Sequence, residues 1–285
     1  MFLVFDTETT GLPRDWNAPK SDLANWPRVV QLAWQLYDES GRLLDANDLI
    51  IRPEGFTIPY NATKVHGIST EYALEHGMPL AQVLEFFRLV LGRASILAGH
   101  NLNFDTTVLG VEYLRLGFSD PMENLPVLDT CTEDTAALCR LPGGKGGKFK
   151  LPNLGELHQY LFGEGFDEAH NAAADVEATA RCFLELLRTG AYAPGQAGLT
   201  AQLIENFRIA NPQPIKAAGV AVRSNKTAEA QTTDPGKNVE SDDGQGNELA
   251  SKFAHLRTHS TYTLLNSTIE IKELVQRAAN YNMPA

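Results

Sequence analysis

Cysteine is scarce in this chain of 285 residues: only Cys131, Cys139 and Cys182 occur, an odd number with no Cys-x-x-Cys spacing. That excludes a disulfide framework and a zinc knuckle as organising devices. No apolar run approaches the roughly 20 residues of a membrane-spanning helix, so no membrane role is expected. The opening residues lack the basic, apolar and small-residue succession of a secretory leader, and a cytoplasmic protein is expected. Basic residues are in deficit, 24 Lys and Arg against 35 Asp and Glu, for a formal net charge of −11. Broad electrostatic wrapping of nucleic acid is therefore excluded. Local contacts remain open to an acidic protein, because metal ions can supply positive charge where a phosphate sits. A phosphate-binding P-loop is also missing. The glycine- and lysine-rich stretch 142–150 has no Ser or Thr after Lys145 or Lys148, and reads either as a solvated loop or as a contact to a phosphate backbone.

What is present begins at once. Phe2-Leu3-Val4-Phe5 is an apolar strand that runs into Asp6 and Glu8. Side chains alternate along a strand, so the two acids share one face while Phe5 and Thr7 take the other. Two like charges on one half-buried face repel, and the pair persists when a divalent cation lies between them. The plainer alternative is a strand end turning polar as it meets solvent.

Further strands are expected over residues 29–37, 43–52, 95–99 and 125–130, the first two joined as an antiparallel hairpin by the turn at 38–41. Helical spacing predicts helices over 79–92, from Asn103 to about Leu116, over 153–161, 171–188 and 199–209. Residues 58–69 read as a short irregular segment. In the loop 12–28, Trp16 and Trp26 either stack on bases or pin the loop to the body, and pinning is the commoner use.

Asn103 is expected to cap its helix, which places Asp105 in the first turn, where an acid suits the dipole with or without a function. Asp175 falls at the margin of the buried face of helix 171–188, beside Val176 and Thr179. An acid there is costly unless paired or metal-bound. Ala172, Ala173 and Ala174 are small enough to let that helix approach the strand of Asp6. His170 lies five residues before Asp175.

Three motifs now stand in order: Phe5-Asp6-Thr7-Glu8-Thr9-Thr10-Gly11, His100-Asn101-Leu102-Asn103-Phe104-Asp105 and His170-Asn171-Ala172-Ala173-Ala174-Asp175. Over about residues 1–188 they resemble the DEDDh (DnaQ-like) exonuclease family, and within it the epsilon-type proofreading exonucleases of bacterial DNA polymerase III. Val65-His66-Gly67-Ile68 is similar as well. The resemblance implies an α/β, ribonuclease-H-like fold with a mixed five-stranded sheet flanked by helices. It implies two Mg²⁺ or Mn²⁺ ions held by Asp6, Glu8, Asp105 and Asp175, with His170 accepting a proton from the attacking water. Thr7, Thr9, Thr10, His66 and Asn101 would contact the substrate. The implied activity is 3′-to-5′ hydrolysis of DNA 3′ ends, single-stranded or mismatched, editing for a replicative DNA polymerase III. Alternatives are an exoribonuclease of the same family and a non-catalytic module that tethers a polymerase.

The expected organisation is an exonuclease domain at 1–190, a helical extension at 191–213 and a disordered linker at 214–252, where composition turns small and polar. The last stretch, 253–285, is similar to the opening of a polymerase III alpha-type PHP domain, with Arg257 where that family's second metal-binding His would stand. A piece this short cannot close a core by itself, so a fragment of a fused polymerase or a truncated relative of one is expected, the alternative being a plain tail helix over 269–279 that needs no polymerase.

Overall fold

The structure, a computed structural model, describes residues 1–165 and 172–220. In chain order its elements are strands β1 (Phe2–Thr9), β2 (Val29–Tyr37) and β3 (Leu43–Ile50), helices α1 (Tyr60–His66), α2 (Thr70–His76) and α3 (Leu80–Leu91), strand β4 (Ile96–Gly99), helix α4 (Asn103–Arg115), strand β5 (Val127–Asp129), and helices α5 (Glu133–Cys139), α6 (Leu154–Phe162), α7 (Ala172–Thr189) and α8 (Ala201–Ala210). The strands form one mixed sheet in the order β3-β2-β1-β4-β5. The first three are antiparallel neighbours; β4 and β5 run parallel to β1. No described helix is long and apolar enough to cross a membrane.

Strand alternation distributes the core. Phe2 and Val4 of β1 point to one face, where they meet Val176, Ala180, Phe183 and Leu187 of α7. Leu3 and Phe5 point to the other and pack with Leu84 and Phe87 of α3 and Val108 of α4. Ala172, Ala173 and Ala174 are all buried at the start of α7, the close approach expected of small side chains.

One register detail positions everything that follows. β1 pairs with β2 along its whole length, from Phe2 to Thr9, but with β4 only at Phe2, Leu3 and Val4. Beyond Val4 the β4 side of β1 is open, at the point where the sheet changes from antiparallel to parallel neighbours. Crevices at such switch points are where α/β sheets bind ligands.

Several elements depart from the sequence expectations. Residues 60–66 form a helix, introduced by Pro59 and stopped by Gly67 at φ 77°, rather than an irregular segment. α2 and α5 went unexpected, although Ser69 caps the first and Thr132 and Thr135 form a reciprocal capping box on the second. Asn103 does not cap α4; it is the first helical residue, and Leu102 holds the N-cap position. Nor does the body end at Gln213. Ile215 is buried, its N–H donating to Glu185 (2.9 Å) and its carbonyl accepting from Arg181 (3.0 Å), and the Gly219 N–H reaches Glu177 at 3.0 Å. Residues 214–219 are thus fastened to α7 where a linker was expected. His170, the rest of the expected linker and the PHP-like stretch lie outside the described residues.

Candidate active site

Asp6 and Glu8 leave β1 on the α7 face, past the last β4 pairing, and Asp175 reaches them from the first turn of α7. One carboxylate oxygen from each of the three lies within 4.8 Å of the others. All three side chains are half-buried. Burial, with the carboxylates of Asp105, Asp175 and Glu8, pushes Asp6 well above the ordinary carboxylate range. Burial, with Asp175 and Asp105, pushes Glu8 up to about 8. The hard oxygen donors and their mutual repulsion fit a divalent cation, which would relieve both.

Asp105 belongs to the same electrostatic cluster but does a different job. It comes from α4, on the opposite face of the sheet, and is buried. Its Oδ1 accepts the Thr7 N–H (3.0 Å) and the Thr7 hydroxyl (2.6 Å). Where β4 has stopped, Asp105 takes over as the hydrogen-bond partner of the β1 backbone. Burial raises its carboxyl to about 7, against the lowering effect of the two Thr7 bonds.

Around this centre the other expected residues fall into two groups. Thr9 is buried, its hydroxyl donating to the Gly11 carbonyl at 2.7 Å, and the Thr10 hydroxyl accepts the Arg28 N–H at 3.0 Å. His66 is buried with its ring against the Thr9 backbone and its Nδ1 accepting the Ile68 N–H; burial lowers it to about 4, so it is neutral near pH 7. These groups, with Thr7, brace the end of β1. Asn101 is instead exposed, held in the left-handed conformation at φ 60° beside the start of α4. Trp26 pins its loop as expected, buried and donating to the Pro19 carbonyl. Trp16 is 55% exposed, its ring 5.7 Å from that of Phe104, the neighbour of Asp105. Lys148 and Lys150 of the glycine-rich loop pair with Glu133 and Glu156.

Sequence reading passed over one buried ion cluster that shapes the site's surroundings. Glu112 of α4, wholly buried, accepts from Arg28 Nε (2.9 Å) and the Val29 N–H (3.0 Å) and pairs with Arg115 (3.0 Å). Arg115 in turn donates to the carbonyls of Leu23, Trp26 and Pro27, tying loop 12–28 to α4. An acid in mid-helix among apolar neighbours was the available signal.

The family described as Exonuclease (RNase_T) matches residues 3–183. The DNA polymerase III PolC-type protein of Lactococcus lactis is 31% identical over 191 residues, which are 66% of this chain and 10% of that protein. The PolC-type protein of Streptococcus pneumoniae D39 is 28% identical over 219 residues, 77% of this chain and 13% of that protein. The chain thus spans about a tenth of the length of the curated relatives it matches. Among solved structures, the zinc-bound complex of E. coli ExoI with single-stranded DNA matches with a TM-score of 0.51 at 21% identity, covering 66% of this chain and 40% of that one. At that identity the likeness speaks for the fold.

Proposed function

The chain belongs to the exonuclease family, and from that premise we propose that it removes nucleotides from the 3′ end of DNA and edits for a replicative DNA polymerase III. The observation that carries the reading is the meeting of Asp6, Glu8 and Asp175 at the open edge of β1, with Asp105 behind them. The alignment with PolC-type polymerases supports the replicative setting. In this reading Asp6, Glu8 and Asp175 hold Mg²⁺ or Mn²⁺. Two such ions, when bound there, would supply positive charge to the scissile phosphate and would lower the pKa of a bound water.

The chain's own residues do the rest. Asp105 fixes the β1 backbone between the two strand acids through Thr7. His170, placed by the sequence motif five residues ahead of Asp175, takes the proton from the water that attacks phosphorus; the bond from phosphorus to the 3′ oxygen of the preceding nucleotide breaks, that oxygen takes up a proton, and nucleoside 5′-monophosphate leaves. Asn101, exposed at the α4 start, and the Thr9, Thr10 and His66 group at the end of β1 frame the terminal nucleotide. Residues 1–190 make up the exonuclease domain and 191–213 its helical extension, with 214–219 fastened back onto α7, and 253–285 are similar to the start of a PHP-like domain.

Hydrolysis of 3′-mismatched primer-template DNA, matched DNA and short RNA, each with Mg²⁺ and with EDTA, tests the reading. Metal-dependent removal of the mismatched DNA end is expected, lost in Asp6→Ala and Asp175→Ala variants that still fold. Faster hydrolysis of RNA would keep the site and discard the editing role. Inactivity on every substrate would overturn the nuclease assignment.

A further inference from the structure

β4 ends at Gly99 and α4 starts at Asn103, so three residues must turn the chain such that Asp105 faces β1. Within the turn itself the hold is slight, the Phe104 N–H reaching the Asn101 carbonyl at 3.3 Å. Asn101 sits in the left-handed conformation, and Leu102, at the N-cap position, has no side-chain acceptor to offer.

The acceptors come from the adjacent strand. Asp129, the last residue of β5, receives the N–H of Asn101 (2.8 Å) and of Cys131 (2.7 Å) on Oδ1, and that of Leu102 (2.8 Å) on Oδ2. Thr130, wholly buried, completes the grip. Its N–H and hydroxyl reach the Gly99 carbonyl at 2.9 and 3.1 Å, and the hydroxyl lies 2.8 Å from His100 Nδ1. A Cβ at position 99 would come within 2.4 Å of Leu102 Cδ1, so the turn is tight from the inside too. Hydrogen bonds to an ionised acceptor are roughly twice as strong as neutral ones, and here three backbone donors converge on one carboxylate.

We infer that Asp129, with Thr130, is a positioning residue: it anchors the start of α4 and, through Asp105 and Thr7, holds β1 in place between Asp6 and Glu8. The contacts form an unbroken series, from the Asp129 carboxylate to the Asn101 and Leu102 amides, along the first turn of α4 to Asp105, and from Asp105 to the Thr7 amide and hydroxyl. Asp129 itself makes no hydrogen bond to β1 among those described. Its effect on hydrolysis rests on the nuclease reading; its effect on Thr7 does not.

Amide hydrogen exchange and steady-state kinetics on the full chain carrying Asp129→Asn separate the two. Asparagine keeps the shape but sets an NH₂ group against a backbone N–H. The Asn101, Leu102 and Thr7 amides should exchange at least about tenfold faster, while the amides of β2 keep their protection. The kcat should fall by about 10- to 100-fold, the range seen when a supporting hydrogen bond behind a metal site is removed, and KM should change by less than about threefold. Faster exchange at Asn101 and Leu102 with Thr7 unchanged would reduce Asp129 to a shaper of its own turn and overturn the inference. So would an unaltered kcat. Should Asp129→Asn fail to fold, Thr130→Val carries the same readouts, with Thr130→Ser expected to restore them; a Thr130→Val protein with unchanged Thr7 exchange and kcat would refute the pair. If the wild type proves inactive, the nuclease reading falls, and exchange at Thr7 still decides the positioning role.

Discussion

Replacing Glu8 by Gln should make the metal-free protein more stable while destroying its proposed activity. The Glu8 carboxyl is displaced from 4.5 to about 8 by burial and by Asp175 and Asp105. A carboxyl held above its ordinary pKa keeps, in the folded chain, a proton that the unfolded chain has already released. Between about pH 4.5 and about pH 8 folding therefore takes up a proton, and stability falls as the pH rises through that window. Each tenfold change in proton affinity is worth about 1.4 kcal/mol, so the whole displacement amounts to about 5 kcal/mol. Solvent reaches this half-buried group and screens it, which leaves about 1–3 kcal/mol. The neutral amide removes that cost. For a domain of this size about 1 kcal/mol moves the melting temperature by about 2–4 °C. In EDTA at pH 8, Glu8→Gln is expected to melt about 3–10 °C above the wild type, and the gap should nearly close at pH 5, where both side chains are neutral. Added Mn²⁺ should raise the wild type toward the variant. A variant that melts no higher than wild type at pH 8, or a gap that is the same at pH 5 and pH 8, would refute the electrostatic account of the cluster.

Other perturbations probe the frame around the site. Glu112→Ala leaves Arg28, Arg115 and the Val29 N–H facing an emptied, buried position. Urea unfolding should show a loss of about 3–5 kcal/mol, with loop 12–28 becoming more sensitive to protease; a loss under about 1 kcal/mol would mean that water takes the place of the carboxylate. Ending the chain after Gln213 removes buried Ile215 and its bonds to Arg181 and Glu185. That protein should be less stable by about 2 kcal/mol than one ending after Val220, as measured by the same unfolding, and equal stability would return the strap to the linker. Asp175→Ala should lose Mn²⁺ binding in calorimetry while its melting temperature in EDTA stays at or above that of the wild type; unimpaired binding would remove Asp175 from the ligand set.

The sheet was legible because its signals are local and strong: β2 is an unbroken buried run, and β1 changes from apolar to acidic at one point. Period-2 alternation alone put Asp6 and Glu8 on one face, and the small residues at 172–174 foretold how near α7 would come. The short helices were missed for want of periodicity, since seven residues give two turns and no repeating apolar face. Their ends were nevertheless written in the sequence, as Pro59 and Gly67 around α1 and Thr132 with Thr135 on α5. The cap of α4 was assigned to Asn103 because that residue has the right side chain, whereas the acceptor is Asp129, 27 residues beyond Leu102. No local rule reaches across that interval. For the same reason helical position alone placed Asp105 only in a first turn, its part in the metal site coming from the resemblance, and the strand 125–130 gave no sign of the amides that Asp129 accepts; the structure joins both acids to residues far away in the chain.

The strap over α7 has a mechanical consequence. Ile215 and Gly219 are bracketed to Arg181, Glu185 and Glu177, side chains of the helix whose first turn presents Asp175. Any pull on the chain beyond residue 220 is borne first by those brackets, as by the strain relief on a cable, so that the load spreads along α7 before it can reach α8. A heavy attachment downstream would then load the Gly219–Glu177 bond first, two residues from Asp175, and only afterwards the Ile215 bonds to Arg181 and Glu185 farther along the helix.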